Sequence, residues 1–240
     1  MTVRIAFLMI VFCTNALHIQ AQQQHSGWLA SFNTFSLNNK WSIHFDAQVR
    51  STDELEHVQT LLLRPGVNYH INKKISVTAG YGFIDNRRNI NGVTGYVTEH
   101  RTWQQLLFAH KWSVIQTSHR FRLEQRFLPV ADINDNELHV THHETANRLR
   151  YFIRNVVPLQ NAGLFTKGFF FALQDELFLN TGNKKIVNGK TFDQNRLYAA
   201  IGYRLESKID LEAGYMHQYS KTANNSLTNN ILQLALYTRL

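Results

Sequence analysis

Cysteine is almost absent from this 240-residue sequence, which contains one, Cys13, and proline is scarce, with three. Cys13 lies in an N-terminal apolar segment that we expect to be removed, so the mature chain is expected to lack cysteine. This excludes disulfide bonds, a zinc–thiolate site and a cysteine nucleophile. A content of 12% aromatic residues also excludes a disordered chain, because disorder requires a composition with little apolar surface to bury.

Long hydrophobic runs are missing as well. After residue 20 no stretch approaches the ~20 apolar residues that a membrane helix needs, and the mean hydropathy is −0.29. A bundle of membrane helices is therefore excluded. A membrane β-barrel stays compatible with these values, because its strands alternate between apolar and polar residues and their hydropathy averages out.

The first 21 residues have the layout of a secretory signal peptide. Arg4 supplies a positive charge, residues 5–13 form an apolar segment, and a more polar stretch ends at Ala21. This order predicts export and cleavage near Ala21. The formal net charge of +8 does not indicate a nucleic-acid partner, because the arginines are spread along predicted strands and export takes the chain away from nucleic acids.

Alternation of apolar and polar residues predicts β-strands along nearly the whole mature chain. In residues 41–50, for example, Ile43 and Phe45 alternate with His44 and Asp46. No stretch of the mature chain has the period of an amphipathic helix. The same alternation recurs at residues 118–128, 195–205, 209–219 and 229–240.

Short and long connections alternate between these strands. Short, turn-like segments lie near residues 37–40, 72–74, 111–112 and 206–208, with a longer member of this set at 158–167. Long polar segments lie at residues 51–56, 85–95, 130–140, 181–192 and 220–228. This series is typical of an up-and-down membrane barrel, with tight turns on the periplasmic side and long loops outside.

The predicted fold class is all-β: a single antiparallel up-and-down transmembrane β-barrel of about 10–12 strands, over residues 22–240. About eleven strands can be counted, but bacterial single-chain barrels have an even number, so we expect ten or twelve. A soluble barrel or sandwich is the alternative interpretation, because both show the same alternation.

Strand length and aromatic placement favour the membrane. Strands of about ten residues match the ~9–11 that a tilted crossing needs. Aromatic side chains near strand ends suit the two membrane interfaces: Trp28, Trp41, Tyr69, Tyr96, Trp112 and Tyr219. We therefore expect a monomer in the outer membrane, in contact with lipid and lipopolysaccharide, with no specified partner protein.

Four motifs carry a resemblance to a known family. They are residues 99–105 (EHRTWQQ), 120–127 (RFRLEQRF), 148–151 (RLRY) and 176–180 (ELFLN). They resemble the family called domain of unknown function 2490, and the similarity covers residues 26–240. That family is similar to outer-membrane β-barrels of Gram-negative bacteria, so the resemblance implies location and architecture. It implies no catalytic residue, because the family has no established activity. Asp175 departs from the pattern, which has an amide before Glu176.

Charged residues share the face of the strands that is predicted to point inward. In a small barrel the interior is just wide enough for side chains, and buried charges must be paired. One hypothesis is therefore a plugged structural barrel whose long loops bind a partner or a sugar. The excess of arginine favours a second hypothesis, a small anion-preferring channel. The residues are Glu99, Arg101, Arg120, Arg122, Glu124, Arg126, Arg148, Arg150, Arg154, Glu176, Arg196, Arg204 and Glu212.

The sequence gives little evidence for a metal site or for an enzyme active site. Three histidines and a glutamate lie within residues 139–144, but strand alternation divides them between two faces, whereas zinc needs converging ligands. A membrane-embedded hydrolase would need a nucleophile, a histidine in reach and an orienting group. Ser42 and His44 share a face, yet no G-x-S-x-G motif supports them. No catalytic residue, cofactor or metal ligand is assigned.

Overall fold

Alternating side chains build eleven β-strands in the computed structural model, which describes residues 22–160 and 165–240. The signal peptide expected at residues 1–21 lies outside the described residues. Short 3₁₀ turns occupy two connections, Asp53–Leu55 and Lys184–Ile186. The strands are β1 Gln22–Ser36, β2 Trp41–Ser51, β3 Val58–His70, β4 Ile75–Ile90, β5 Val93–Trp112, β6 Ile115–Asn134, β7 Glu137–Pro158, β8 Gly168–Thr181, β9 Phe192–Glu206, β10 Ile209–Lys221 and β11 Ser226–Arg239. Within the described ranges, no helix has the length and apolar character to cross a membrane.

The strands form one closed barrel in chain order, and β1 completes the ring by pairing with β11. The all-β barrel of 10–12 strands is thereby confirmed, but the expected even number is wrong. In an odd-numbered meander the first and last strands run in the same direction, so β1 and β11 pair in parallel. All other neighbouring strands are antiparallel, as predicted.

The two ends of the barrel differ in their connections. One end, here called the turn end, carries residues 37–40, 71–74, 113–114, 159–160, 165–167 and 207–208, and β11 ends there. The other, the hairpin end, carries residues 52–57, 91–92, 135–136, 182–191 and 222–225, and β1 begins there. An odd number of strands therefore places the beginning of β1 and the end of β11 at opposite ends.

The prediction of long loops at residues 85–95 and 130–140 is wrong. Both regions are strands that meet in two-residue turns, Asn91-Gly92 and Asp135-Asn136. All four turn residues have positive φ angles, between 48° and 91°, which is the backbone of tight hairpins that match strand twist. With 20 residues in β5 and in β6, each strand is about 65 Å long at ~3.3 Å per residue. These strands therefore project far beyond a membrane at the hairpin end.

The outer face of the barrel is apolar and suits lipid. Leu232 is 71% exposed and Ile201 is 59% exposed. Aromatic side chains lie near both strand ends on this face: Trp41 and Trp112 near the turn end, and Tyr96 near the hairpin end. Trp41 packs against Tyr69, with ring centroids 4.8 Å apart.

Trp28 does not belong to this interfacial set, so the placement predicted for it is wrong. It is only 6% exposed, because it shares the inward phase of β1 with the buried Ser26 and Ala30. The smaller side chains on either side of it leave room for the indole inside the barrel.

Several polar side chains on the outer face bond to one another. Gln104 and Gln125 exchange amide hydrogen bonds of 3.2 and 3.3 Å across β5 and β6, and Thr102 donates to Gln125. Asp175, which departs from the family pattern, accepts a bond of 2.7 Å from Asn195. Mutual bonding lowers the cost of placing these groups against lipid, where no water can satisfy them.

Single cysteines test the orientation of the two ends. Asp132 is exposed near the tip of the β6–β7 hairpin, and Lys73 is exposed in a connection at the turn end. Because long strands and loops face the cell exterior in such barrels, an impermeant thiol reagent should label Asp132→Cys on intact cells. It should label Lys73→Cys only after the envelope is broken. Equal labelling of both variants on intact cells would contradict this arrangement.

Candidate functional site: the lumen

Glu124 of β6 is the centre of a charged network inside the barrel. Its side chain is completely buried, and its two carboxylate oxygens accept hydrogen bonds from neighbouring arginines of β7. Arg148 donates at 2.7 and 3.0 Å, and Arg150 donates at 2.5 Å. Arg101 and Arg122 lie 3.9 and 3.8 Å from the same carboxylate. A planar guanidinium fork suits this sharing, because it presents several donors in fixed directions.

Two more glutamates repeat the arrangement on either side. Glu99 is held by Arg101 and Arg126, each through a pair of hydrogen bonds between 2.6 and 3.1 Å. Glu176 accepts bonds from Arg120 at 2.7 Å and from Arg150 at 2.6 Å. Each carboxylate is therefore shared by two guanidinium groups and neutralises part of the charge of both.

Separate ion pairs lie around this centre. Arg154 bonds to Glu212, and Arg64 bonds to Asp46. Arg204 binds both oxygens of Asp210, at 2.7 and 3.0 Å. These pairs belong to strands β2, β3, β7, β9 and β10, so ion pairs extend around most of the ring.

All thirteen charged residues named from the sequence face the lumen. Twelve of them lie within 4.0 Å of an oppositely charged partner. Arg196 is the exception among them: its guanidinium lies over the rings of Trp28 and Phe178 instead. The sequence analysis missed several further members. They are Arg50, Arg64, Asp193, Asp210 and Arg239, together with Asp46, whose place on a polar face was visible in the alternation of residues 41–50.

Trp103 packs inside the barrel beside the network. It is 1% exposed, its indole nitrogen donates to the Tyr81 carbonyl at 3.2 Å, and Arg122 stacks over its ring at 4.3 Å. The indole fits because Gly80 faces it: a Cβ atom at Gly80 would overlap both the ring and the Pro65 carbonyl. A large apolar ring and a network of buried charges thus pack against each other inside the barrel.

Another part of the lumen is apolar. Phe170 and Tyr198 are 1% and 0% exposed, and they pack with Ala172 and Ala200 on β8 and β9. Phe165, which follows the 161–164 segment, packs edge to face against Phe170 at 5.9 Å. Its carbonyl accepts a hydrogen bond from Arg204 at 2.9 Å, which holds Phe165 against the lumen side of β9.

A cavity of about 490 Å³, here called the turn-end cavity, lies inside the lumen. It reaches the turn end at His70, Ser76 and Arg239, whose side chain is 42% exposed. Its inner part is lined by Trp28 and Arg50, and also by Arg120, Arg150, Glu176 and Arg196. Three of these residues belong to the charged network, which therefore forms the inner boundary of the cavity.

A serine and a histidine meet at this end, at a place not named from the sequence. Ser42 bonds to His70 at 2.9 Å and also accepts a bond from Asn68 at 2.9 Å. Ser42 is only 1% exposed, and no carboxylate bonds to His70 among the described residues. The described residues also contain no group of three or more His, Cys, Asp or Glu side chains arranged to hold a metal ion. The geometry of Ser42 is that of a structural hydrogen bond.

Together, the closed ring of strands, the apolar outer face and the charged lumen define an outer-membrane β-barrel of porin-like architecture. The structure of the NanC porin is similar over 90% of this chain and 98% of that chain, with a TM-score of 0.52 and 13% sequence identity. Identity this low shows a shared fold alone. The fold indicates an outer-membrane location.

Sequence comparison then gives the family. An uncharacterized protein of Methylorubrum extorquens is 23% identical over 198 residues, which cover 81% of this chain and 78% of that protein. The family model described as protein of unknown function (DUF2490) matches residues 25–229. The chain belongs to this family, as its motifs predicted.

Glu124→Gln tests the centre of the network. The substitution keeps the side-chain shape but leaves Arg148 and Arg150 without their buried counter-charge, so it should lower the free energy of unfolding by roughly 3–5 kcal/mol. Urea unfolding in lipid vesicles, followed by tryptophan fluorescence, measures this change. Asp85→Asn is the matched control: Asp85 faces outward and bonds to Thr98, so its loss should cost about 1 kcal/mol. Equal effects of the two substitutions would contradict the central role of Glu124.

Proposed function

We propose that this protein is exported by its N-terminal signal peptide and acts in the outer membrane as a closed barrel, without catalytic activity and without an open ion-conducting pore. The single observation that carries the proposal is the filling of the lumen beside Glu124. Glu124, Arg122 and Trp103 are 0%, 1% and 1% exposed, so water does not reach them. An open pore at this level would leave such side chains wet.

Because a closed lumen conducts nothing, we place the function at the ends of the barrel. At the hairpin end, β4–β7 continue beyond the apolar band as a sheet whose turns carry Asn, Gly and Asp. Polar surfaces held on a rigid scaffold are suited to contact with a partner or a sugar. This surface replaces the loops at residues 85–95 and 130–140 as the candidate for partner contact, beside the connection at residues 182–191.

An anion-preferring channel is the second candidate, because arginines exceed carboxylates in the lumen and the turn-end cavity extends inward from one end. Seven arginines line that cavity, against the single carboxylate of Glu176 among the described residues. Such a lumen would favour anions if the network opened. The closed cross-section at Trp103 and Glu124 favours the first candidate.

Planar-bilayer recording separates the two candidates. Purified, folded protein should give no steady conductance in 1 M KCl, because the buried ion pairs leave no water-filled path. An unrelated porin reconstituted in the same lipid provides the positive control. Stable single-channel steps that prefer chloride, and whose preference falls in Arg150→Glu, would support the channel and overturn the closed barrel.

Fractionation tests the location. The protein should be found in the outer-membrane fraction and should migrate faster on a gel before heating than after, because a closed barrel resists detergent until it is heated. Recovery as a soluble periplasmic protein without detergent would contradict this location. A precursor retaining residues 1–21 in that membrane would contradict the signal peptide.

A further inference from the structure

Two arginines of the turn-end cavity have no carboxylate partner among residues 22–160 and 165–240. Arg50 bonds only to the neutral amide oxygen of Gln48, at 2.6 and 3.1 Å. Arg196 forms neither a salt bridge nor a hydrogen bond with another described residue, and its Nε is buried without a partner. Both side chains are half-buried, and charge removed from water is costly unless it is paired, so the two guanidinium groups point to an anion that the described residues do not provide.

Trp28 brings the two groups together. The guanidinium carbon of Arg50 lies 4.0 Å from the centre of the indole ring, and that of Arg196 lies 4.9 Å from it. The two guanidinium carbons are therefore no more than 8.9 Å apart, the sum of these two distances, and each group partly loses its hydration to the ring. Glu176 is the carboxylate nearest to them in the cavity lining, but it already accepts bonds from Arg120 and Arg150.

The apolar residues of the cavity lining indicate which groups a ligand would contain besides its acidic group. Phe32 and Tyr237 stack with ring centroids 4.8 Å apart, and Phe152 and Met216 also face the cavity. A hydrated inorganic ion would leave these apolar walls without contact. A volume of about 490 Å³ holds a small organic molecule, since ligand pockets start at about 300 Å³.

We propose that the turn-end cavity is a binding site for a small organic anion. Arg50 and Arg196 hold its acidic group beside Trp28, and the aromatic walls take its apolar body. The site is distinct from the network at Glu124, whose carboxylates and guanidinium groups are already paired. It goes beyond the closed barrel, because it gives the inner part of the cavity a ligand of stated chemistry.

A set of three probes tests the site on wild-type protein in detergent. Benzoate carries the acidic group and the ring, benzyl alcohol carries the ring alone, and acetate carries the charge alone. Titration calorimetry should show saturable 1:1 binding of benzoate, with affinities at least about tenfold lower for the other two, since each lacks one of the two recognised features. Absence of saturable benzoate binding, or equal affinity for benzyl alcohol or for acetate, would overturn the proposal.

Matched variants locate the binding. Arg196→Gln should weaken benzoate binding by about 10- to 100-fold, as expected for the loss of a charge-assisted hydrogen bond, and Arg50→Gln provides a second, independent variant. Lys40→Gln removes one exposed positive charge at the same end and should leave the affinity within about twofold. The proposal is wrong if Lys40→Gln weakens binding as much as Arg196→Gln, because only net charge would then matter.

Separate measurements of folding and of conduction distinguish loss of the anion site from misfolding and from failure of the closed barrel. The gel mobility of unheated protein verifies that each variant is folded, and the wild-type probe series needs no variant at all. Conductance in a bilayer would overturn the closed barrel and leave benzoate binding intact. Failure of benzoate to bind would overturn the anion site and leave the bilayer silent.

Discussion

Pairing of buried charge inside the lumen is the constraint on which the rest of this structure depends. Arginine outnumbers acid on the inward face, so carboxylates are shared: Glu99, Glu124 and Glu176 each bond to two guanidinium groups. Sharing requires strands β5–β8 to keep the register that places these side chains opposite one another. Removal of any one of these carboxylates would leave two guanidinium groups without that counter-charge.

The wall of the barrel is fitted to that filling. Small residues stand where large ones approach closely: Gly80 makes room for Trp103, Gly202 for Phe170 and Gly214 for Tyr198. Ion pairs therefore extend around most of the lumen, and buried aromatic rings pack among them on β5, β8 and β9. The turn-end cavity lies among both kinds of side chain, which is why both cations and aromatic rings line it.

Much of this architecture could be predicted from the sequence, because a period of two assigns each side chain to a face. The strands, the inward arginines and glutamates and the family motifs all follow from it. The parallel contact between β1 and β11 could not be predicted, since alternation identifies strands but not which two complete the ring. Asn91-Gly92 carried the signal of a tight hairpin, yet the polar residues around it suggested a loop. Individual partners, such as Glu124 with Arg148, depend on register between strands, which alternation leaves open.

The central claim is that side chains, and not water, fill the lumen at Glu124. The most direct measurement is an experimental structure of the purified protein at a resolution that shows ordered water. We expect density for Glu124 bonded to Arg148 and Arg150, with Trp103 packed beside them and no water column crossing this level. A continuous file of water from the turn end to the hairpin end, past a separated Glu124 and Arg150, would contradict it.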